Sequence, residues 1–335
     1  MAKKRILTGD RPTGKLHLGH YVGSVKHRVA LQHEYDTFII IADVQALTTN
    51  WETPEQLPRD VREVAKDNLA AGIDPNVATI FVQSMVPQIA ELTVFYSMFV
   101  PVNVLRHNPT IKTEAAQKGY KDLMYGFLGY PVSQAADITF CKAHLVPVGK
   151  DQAPHLELTR KIVRRFNELY APVLVEPESM ETGVLVGLDG NAKMSKSLDN
   201  AIYLSDPAEE VVRKVKTAVT DPARIRKNDP GHPEVCTVFS YHKEFNQSFV
   251  PELEPACRKG EIGCVECKMR LANCLNELLD PIRDRRAYYD EHPELVDEIL
   301  RAGTERAVIE GAKTLAEVKE AMKIDYFSLD TVKPK

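Results

Sequence analysis

No apolar run in this chain approaches the ~18 residues that a membrane-crossing helix needs, so no membrane span is expected. The basic start Met1-Ala2-Lys3-Lys4-Arg5 passes through Ile6-Leu7-Thr8 straight into Gly9-Asp10. The apolar stretch of a secretion signal is missing there, and a cytoplasmic protein is expected. A net charge of −4 excludes indiscriminate binding to polyanions. Any nucleic-acid contact must therefore come from local basic patches. There is no internal repeat and no low-complexity tract, which excludes a solenoid or a filament. What remains is ordinary globular stock: 335 residues, 44% hydrophobic and 27% charged, enough for two domains around a large core. Six cysteines stand out against that background. Structural disulfides are rare in the cytosol, so these residues call for another explanation.

Strand and helix periods alternate through the first 200 residues. Arg5-Ile6-Leu7-Thr8 reads as a first strand, and Phe38-Ile39-Ile40-Ile41-Ala42-Asp43 as a strand covered on both faces. Thr79-Ile80-Phe81-Val82 and Leu145-Val146-Pro147-Val148 read as further strands of the same sheet. Pro147 points to a strand end or an edge. Val22, Val25 and Val29 recur at helical spacing, as do Leu156, Thr159, Val163 and Phe166. This order predicts an α/β fold with a doubly wound, parallel, Rossmann-type sheet. Ligands of such sheets bind beyond the carboxyl ends of the strands, where His17 to His20 and Gly149 to Gln152 fall. After residue 200 the pattern turns helical. Ser205-Asp206-Pro207-Ala208-Glu209 predicts a helix start, with Asp206 as cap and Pro207 in the first turn. The expected organisation is a catalytic domain over 1–200, with a helical insertion around 50–130, and a mostly α-helical domain over 201–335.

Two short runs carry the chemistry. His17-Leu18-Gly19-His20 sits at a strand-to-helix turn, where the following helix offers free N–H groups and its positive end to phosphate. Gly19 leaves room for a nucleotide against the backbone, and two histidines without a nearby third ligand make a poor zinc site. Lys193-Met194-Ser195-Lys196-Ser197 follows a glycine-bearing loop free to close over a ligand, and its two ammonium groups suit a polyphosphate.

In this order the two runs resemble the signature pair of class I aminoacyl-tRNA synthetases. Arg11-Pro12-Thr13-Gly14, His20-Tyr21-Val22-Gly23, Tyr130-Pro131-Val132-Ser133-Gln134-Ala135-Ala136-Asp137-Ile138 and Val148-Gly149-Lys150-Asp151-Gln152-Ala153-Pro154-His155 resemble blocks of the tryptophanyl-tRNA synthetases, a likeness running over about residues 5 to 325. It implies ATP-dependent attachment of L-tryptophan to tRNA(Trp), with Mg²⁺ on the phosphates, in a homodimer. Asp137 would accept the indole N–H, a donor only, for which a carboxylate is a natural partner. Tyr130 and Gln152 would surround the substrate ammonium, and Gln134 would line the same pocket. Gly149, Lys150 and Asp151 would hold the ATP ribose, and Val184 would lie beside the adenine. Arg11, Pro12, Thr13, Gly19 and His20 would meet the nucleotide together with Lys193, Met194, Ser195, Lys196 and Ser197. His17, His20, Lys193 and Lys196 would stabilise the developing negative charge, with no protein nucleophile. Arg11, His20 and Gln134 depart from the common family pattern and point to a divergent, second bacterial type. Gln134 gives some weight to tyrosine as substrate, but the block at Gly149 to His155 lacks the tyrosyl pattern.

Cys236, Cys257, Cys264 and Cys267 follow the pattern C-x20-C-x6-C-x2-C. Four thiolates so spaced can close around zinc or an iron–sulfur cluster, or stay unligated. A subset of the tryptophanyl enzymes carries a [4Fe–4S] cluster on a similar pattern with a different first spacing, so that cluster is the expectation. Cys141 and Cys274 read as core residues. The tRNA would cross both domains. Its basic contacts would be Lys161, Arg164 and Arg165, then Arg224, Arg226 and Lys227, then Arg258, Lys259, Lys268 and Arg270. The last set flanks the cysteines, where the anticodon is expected to dock. The rival readings are a tyrosyl-tRNA synthetase, or an iron–sulfur redox or binding protein on a vestigial synthetase scaffold.

Overall fold

The computed structural model describes residues 3–149, 152–190 and 193–326. Its strands are β1 (Arg5–Asp10), β2 (Asp36–Ile41), β3 (Thr79–Val82), β4 (Leu145–Val148) and β5 (Glu178–Glu181). Its helices are α1 (Leu18–His20), α2 (Lys26–Leu31), α3 (Asp43–Asn50), α4 (Leu57–Ala71), α5 (Pro87–Ser97), α6 (Val102–Arg106), α7 (Pro109–Lys118), α8 (Tyr125–Thr139), α9 (Ala153–Leu169), α10 (Ala208–Thr217), α11 (Thr237–Phe245), α12 (Val250–Arg258), α13 (Cys264–Glu291) and α14 (Pro293–Met322). A π-helical turn, Tyr21–Val25, joins α1 to α2.

The strands form one sheet in the order β3-β2-β1-β4-β5, every pair parallel. This is the doubly wound, Rossmann-type architecture, with its reversal point between β1 and β4. β2 is apolar along nearly its whole length because helices cover both faces. β1 pairs with β2 over six residues but meets β4 only at Ile6↔Leu145. The two strands therefore part toward their carboxyl ends and leave a crevice. Pro147 is not on an edge; it lies one residue before the end of an internal strand, where β1 no longer needs its missing N–H. β5 has no counterpart among the strands expected from sequence, because Glu178-Ser179-Met180-Glu181 is a polar, largely exposed edge with no apolar alternation.

The helix expected after His20 is present as α1, the π-turn and α2, with Val22 and Val25 buried. Leu156, Thr159, Val163 and Phe166 are the buried face of α9. The start of α10 differs from expectation: Pro207 occupies the cap position and no side chain caps the helix. The Asp206 carboxylate instead accepts from Tyr203 N–H and from Lys214, a local competition open to short acidic side chains. Among the described residues no strand follows Glu181.

Two large cores flank the sheet. One joins Leu16, Leu18, Val22 and Val64 to Leu271, Leu275, Leu279 and Val296, so α13 and α14 share a core with the His17–His20 loop. α14 lies directly on β3: a Cβ at Gly303 would stand 1.9 Å from the Ile80 carbonyl oxygen, so only glycine fits. The other core gathers Phe38, Phe81, Phe140, Phe166 and the buried faces of α5 and α8. A small third cluster, Phe239, Leu253 and Ile262, backs three of the cysteines. Cys141 is fully buried, and Cys274 is half-buried with its thiol donating to the Phe245 carbonyl.

Candidate active site

The His17–His20 loop leaves β1 at the crevice and is fixed by its own backbone. His17 Nδ1 accepts from Gly19 N–H at 3.1 Å, and His20 Nδ1 accepts from His17 N–H at 3.2 Å, a capping box built from imidazoles. The rings lie 3.8 Å apart between centroids. Burial drives His17 down to about 2, with His20, Lys196 and Lys193 pushing the same way. Burial takes His20 to about 4 against the opposing pull of Asp10. Both imidazoles are therefore neutral at pH 7. With each Nδ1 accepting, each carries its proton on Nε2 and can donate it into the crevice.

The lysine loop closes onto this turn. Gly19 N–H points to Met194 Sδ at 3.3 Å, and Met194 is buried. A Cβ at Gly19 would meet the His17 ring at 2.9 Å and Met194 at 3.2 Å, so the glycine permits the approach. Lys196 Nζ donates to the Thr13 carbonyl at 3.0 Å, and burial lowers its pKa against the pull of Asp60, Asp67 and Asp10. Lys193 is exposed and bridges its backbone to Val186. Ser195 N–H donates to Asn200 Oδ1 at 2.8 Å, and Asn200 Nδ2 donates to Asp189. Ser197 falls in the turn Lys196–Leu198. Pro12 is buried and Arg11 exposed, the latter paired with Glu114 at 3.1 Å. Val184 is exposed. Gly149 directly follows β4, and Gln152 caps α9 with its N–H donating to the Gly149 carbonyl. Lys150 and Asp151 lie outside the described residues.

Tyr130, Gln134 and Asp137 sit at i, i+4 and i+7 on α8, on one face of the helix. Tyr130 and Asp137 are buried and Gln134 half-buried. The Tyr130 hydroxyl donates to Glu114 Oε2 at 3.0 Å and lies 2.8 Å from His155 Nε2. Asp137 accepts from Gln83 Nε2 at 2.7 Å and from Gln45 Nε2 at 3.3 Å. Burial pushes its carboxyl up to about 7; the two amides oppose this and Asp43 adds to it. Gln45, Gln83, Glu114 and Asn200 are missing from the sequence-derived set. The first three are lone polar residues with no motif around them and Asn200 lies just past the lysine run; only their burial or their bonds mark them.

Beneath the loop, Arg28 is fully buried and holds Asp10 through both terminal nitrogens, with Nη1 at 2.7 Å from Oδ2. Nη1 also donates to Asn68 at 2.7 Å, and Nη2 donates to Ser24.

Cys236, Cys257, Cys264 and Cys267 line one cavity of about 20 Å³. Among the described residues no group of three or more His, Cys, Asp or Glu side chains is arranged to hold a metal ion. The expected ligand set is therefore gathered but not formed. The cavity has room for about one water-sized occupant, short of a cubane of four irons and four sulfides. Burial raises the thiols of Cys236 and Cys257 and takes Cys267 to about 12. Arg224, expected on a tRNA-facing surface, turns inward: it donates to the carbonyls of Lys227 and Ile262 and lies 3.9 Å from Cys257 Sγ. Several other basic candidates are engaged by neighbours: Arg164 with Glu176, Arg258 with Glu234 and Glu254, Arg270 with Glu266, and Lys268 with the Lys216 carbonyl.

Residues 2–280 match the family described as tRNA synthetases class I (W and Y). The chain is 49% identical over 340 residues to a tryptophan–tRNA ligase of Streptococcus pyogenes serotype M3, covering 98% of this chain and 100% of that one. The structure of the tryptophanyl-tRNA synthetase from Campylobacter jejuni, complexed with ADP and tryptophan, is similar at a TM-score of 0.83 and 31% identity, covering 95% of this chain and 99% of that one. The enzyme of Mycoplasma pneumoniae gives 0.82 at 27% identity, covering 99% and 100%. The chain belongs to the class I tRNA synthetases, in the tryptophan and tyrosine branch.

Proposed function

We propose that this chain attaches L-tryptophan to tRNA(Trp) at the expense of ATP. The tryptophan carboxylate attacks the α-phosphorus and expels pyrophosphate; the terminal ribose hydroxyl of the tRNA then attacks the acyl carbonyl of the adenylate and releases AMP. The observation that carries this reading is Asp137, a buried carboxylate bonded to two amides on the helix face that also presents Tyr130 and Gln134. An indole N–H is the donor it lacks. A substrate without that donor leaves a buried acceptor unpaired, and sites of this kind discriminate strongly without editing.

At the phosphates, the neutral imidazoles of His17 and His20 donate from Nε2 while Lys193 and Lys196 carry positive charge to the leaving pyrophosphate. Mg²⁺ on the ATP supplies further neutralisation. Arg11 and Tyr130 share Glu114, which ties the nucleotide loop to the amino-acid pocket. Gly149, Lys150, Asp151 and Gln152 take the ribose and the substrate ammonium in this reading. The test is amino-acid-dependent ATP–pyrophosphate exchange, run with tryptophan and with tyrosine. Exchange with tryptophan alone is expected; exchange with tyrosine alone overturns the assignment, and electron transfer without exchange selects the vestigial scaffold.

Four finer readings go with this one. A second copy of the chain covers the exposed apolar side chains Met85, Val94, Met98, Val102, Met124 and Tyr125, giving a homodimer whose mass sedimentation measures. The tRNA runs from the crevice, across the division near residue 200, to the helical part, and the protein works in the cytoplasm. A [4Fe–4S] cluster is the finer reading of the four cysteines from their spacing alone; the cavity they line takes about one water-sized occupant, so binding a cluster requires that cavity to open. Iron and acid-labile sulfide in anaerobically purified protein would establish it, while zinc alone, or no metal, rejects it.

A further inference from the structure

Leu16, the residue before His17, is buried, and its N–H donates to Asp67 Oδ2 on α4 at 2.6 Å. The other oxygen of Asp67 is held by Arg286, which comes from α13, 219 residues away in sequence. Asp67 and Arg286 are both buried. Arg286 also reaches Glu63 on α4 and Asp290 on its own helix. Two further backbone bonds of the loop go to the segment after the lysine loop: Leu204 N–H to the Leu16 carbonyl at 3.0 Å, and Leu18 N–H to the Ile202 carbonyl at 2.9 Å. His17 thus hangs between two anchors. One belongs to the chain leaving the lysine loop. The other is a carboxylate whose counter-ion lies on α13.

We propose that Arg286 is a positioning residue for the adenylate step: it keeps Asp67 ionised against the Leu16 N–H, and through that bond the helical C-terminal region fixes the backbone on which His17 and His20 stand. Burial pushes the Asp67 carboxyl up to about 6 against the pull of Arg286 and of the Leu16 N–H, with Glu63 adding to the rise; without its cation a buried carboxylate takes up a proton. A neutral acid is a weaker acceptor than a carboxylate, so the Leu16 anchor slackens. Misplacement of a loop by a fraction of an ångström is enough to slow a reaction that depends on alignment. α13 runs unbroken from Cys264 to Glu291, roughly 40 Å at 1.5 Å per residue. Its first turn lines the cysteine cavity and its last turns hold Asp67, so one helix runs from that cavity to the anchor of the signature loop.

This inference rests on the assignment of the His17–His20 loop to ATP. Exchange by the unaltered protein tests that assignment, and the variants test this one. Arg286→Gln is expected to lower kcat for tryptophan-dependent exchange ten- to a hundredfold and to raise KM for ATP, while KM for tryptophan stays within about twofold because Asp137 stands on other elements. Its acid limb of activity should move to higher pH, since Asp67 then protonates more easily. Arg286→Lys, which keeps the charge and loses the fork, should recover part of kcat. Asp67→Asn keeps the shape and discharges the partner, and should reproduce the split; if Arg286→Gln fails to fold, this variant decides. Arg62→Ala, which removes an exposed ion pair between α4 and Asp297 of α14, should leave the kinetics unchanged. Lowered melting temperatures with kcat and both KM values intact overturn the proposal. So does a proportional loss of tryptophan affinity, or the same kinetic change in Arg62→Ala.

Discussion

Two buried carboxylates stand on either side of the crevice, and the protein treats them in opposite ways. Asp10, under the His17–His20 loop, is desolvated, yet the Arg28 guanidinium more than offsets the burial and holds its carboxyl below the ordinary range. Asp137, in the amino-acid pocket, is equally buried but receives only two neutral amides, and sits near 7. The first is a finished ion pair whose task is to hold the loop. The second keeps room for one more donor, which the proposed function assigns to an indole N–H. The cysteine cavity goes further still: four thiols share a space with Arg224 as the only charged side chain bonded to one of them among the described residues. Charge pairing fixes Asp10 in the scaffold, while Asp137 keeps bonding capacity to spare.

The sharpest way to break this comparison is to turn Asp10 into an unpaired acid. Arg28→Met should cost about 3–5 kcal/mol of stability at pH 7, the usual penalty for stranding one partner of a buried pair. The pH dependence should also reverse. In the unaltered protein the depressed carboxyl adds stability above the ordinary carboxylate pKa, and that stability is lost as acid protonates it. In the variant the raised carboxyl makes the fold more stable as pH falls from 7. Urea unfolding at pH 7, pH 5 and pH 3 measures both; a variant that loses stability on acidification as the unaltered protein does would refute the account of Asp10.

Next in size is the lysine loop. Lys196→Ala should slow tryptophan-dependent exchange by about 10²–10³-fold, the range for loss of one preorganised charge stabiliser, with tryptophan affinity within about twofold. Equal losses in both would remove Lys196 from the chemistry.

The amino-acid pocket gives a smaller, pH-dependent effect. Because the free Asp137 carboxyl sits near 7 and the ionised form is the better acceptor, KM for tryptophan should rise as pH falls through 7, and binding should release a proton. Asp137→Asn should flatten that profile and weaken tryptophan binding by about 1–3 kcal/mol. A flat profile in the unaltered protein would mean that the indole nitrogen is met elsewhere. The smallest effect belongs to a pair of the same chemistry as Asp10 and Arg28 but on the surface: breaking Arg213–Glu210 with Arg213→Ala should shift stability by under about 1 kcal/mol.

Much of the catalytic half was legible before the fold. The two signature runs are compact motifs, and β2 and α9 carry unbroken apolar periods that a sheet covered on both faces and an amphipathic helix must have. β5 was invisible because an exposed edge strand needs no apolar alternation. Gln45, Gln83 and Glu114 were invisible because their partners are remote: Gln83 meets Asp137 across 54 residues, and Glu114 meets Arg11 across 103. Asn200 bonds close by, to Ser195 and Asp189, but no local pattern marks an asparagine there. The four cysteines show the reverse failure. Their spacing was read as a ligand set, but spacing fixes which thiols can meet, not the distances at which a fold holds them.

The sequence by itself determined the alternation of the first four strands with helices and the reaction family, since these follow from local periodicity and from short motifs. Only the tertiary structure decided that the imidazoles are neutral, that Asp137 waits near its titration point while Asp10 does not, and that Arg286 reaches the signature loop. Charge state and long-range anchoring depend on burial and on which distant groups come within bonding distance, and neither is a property of any stretch of chain taken alone.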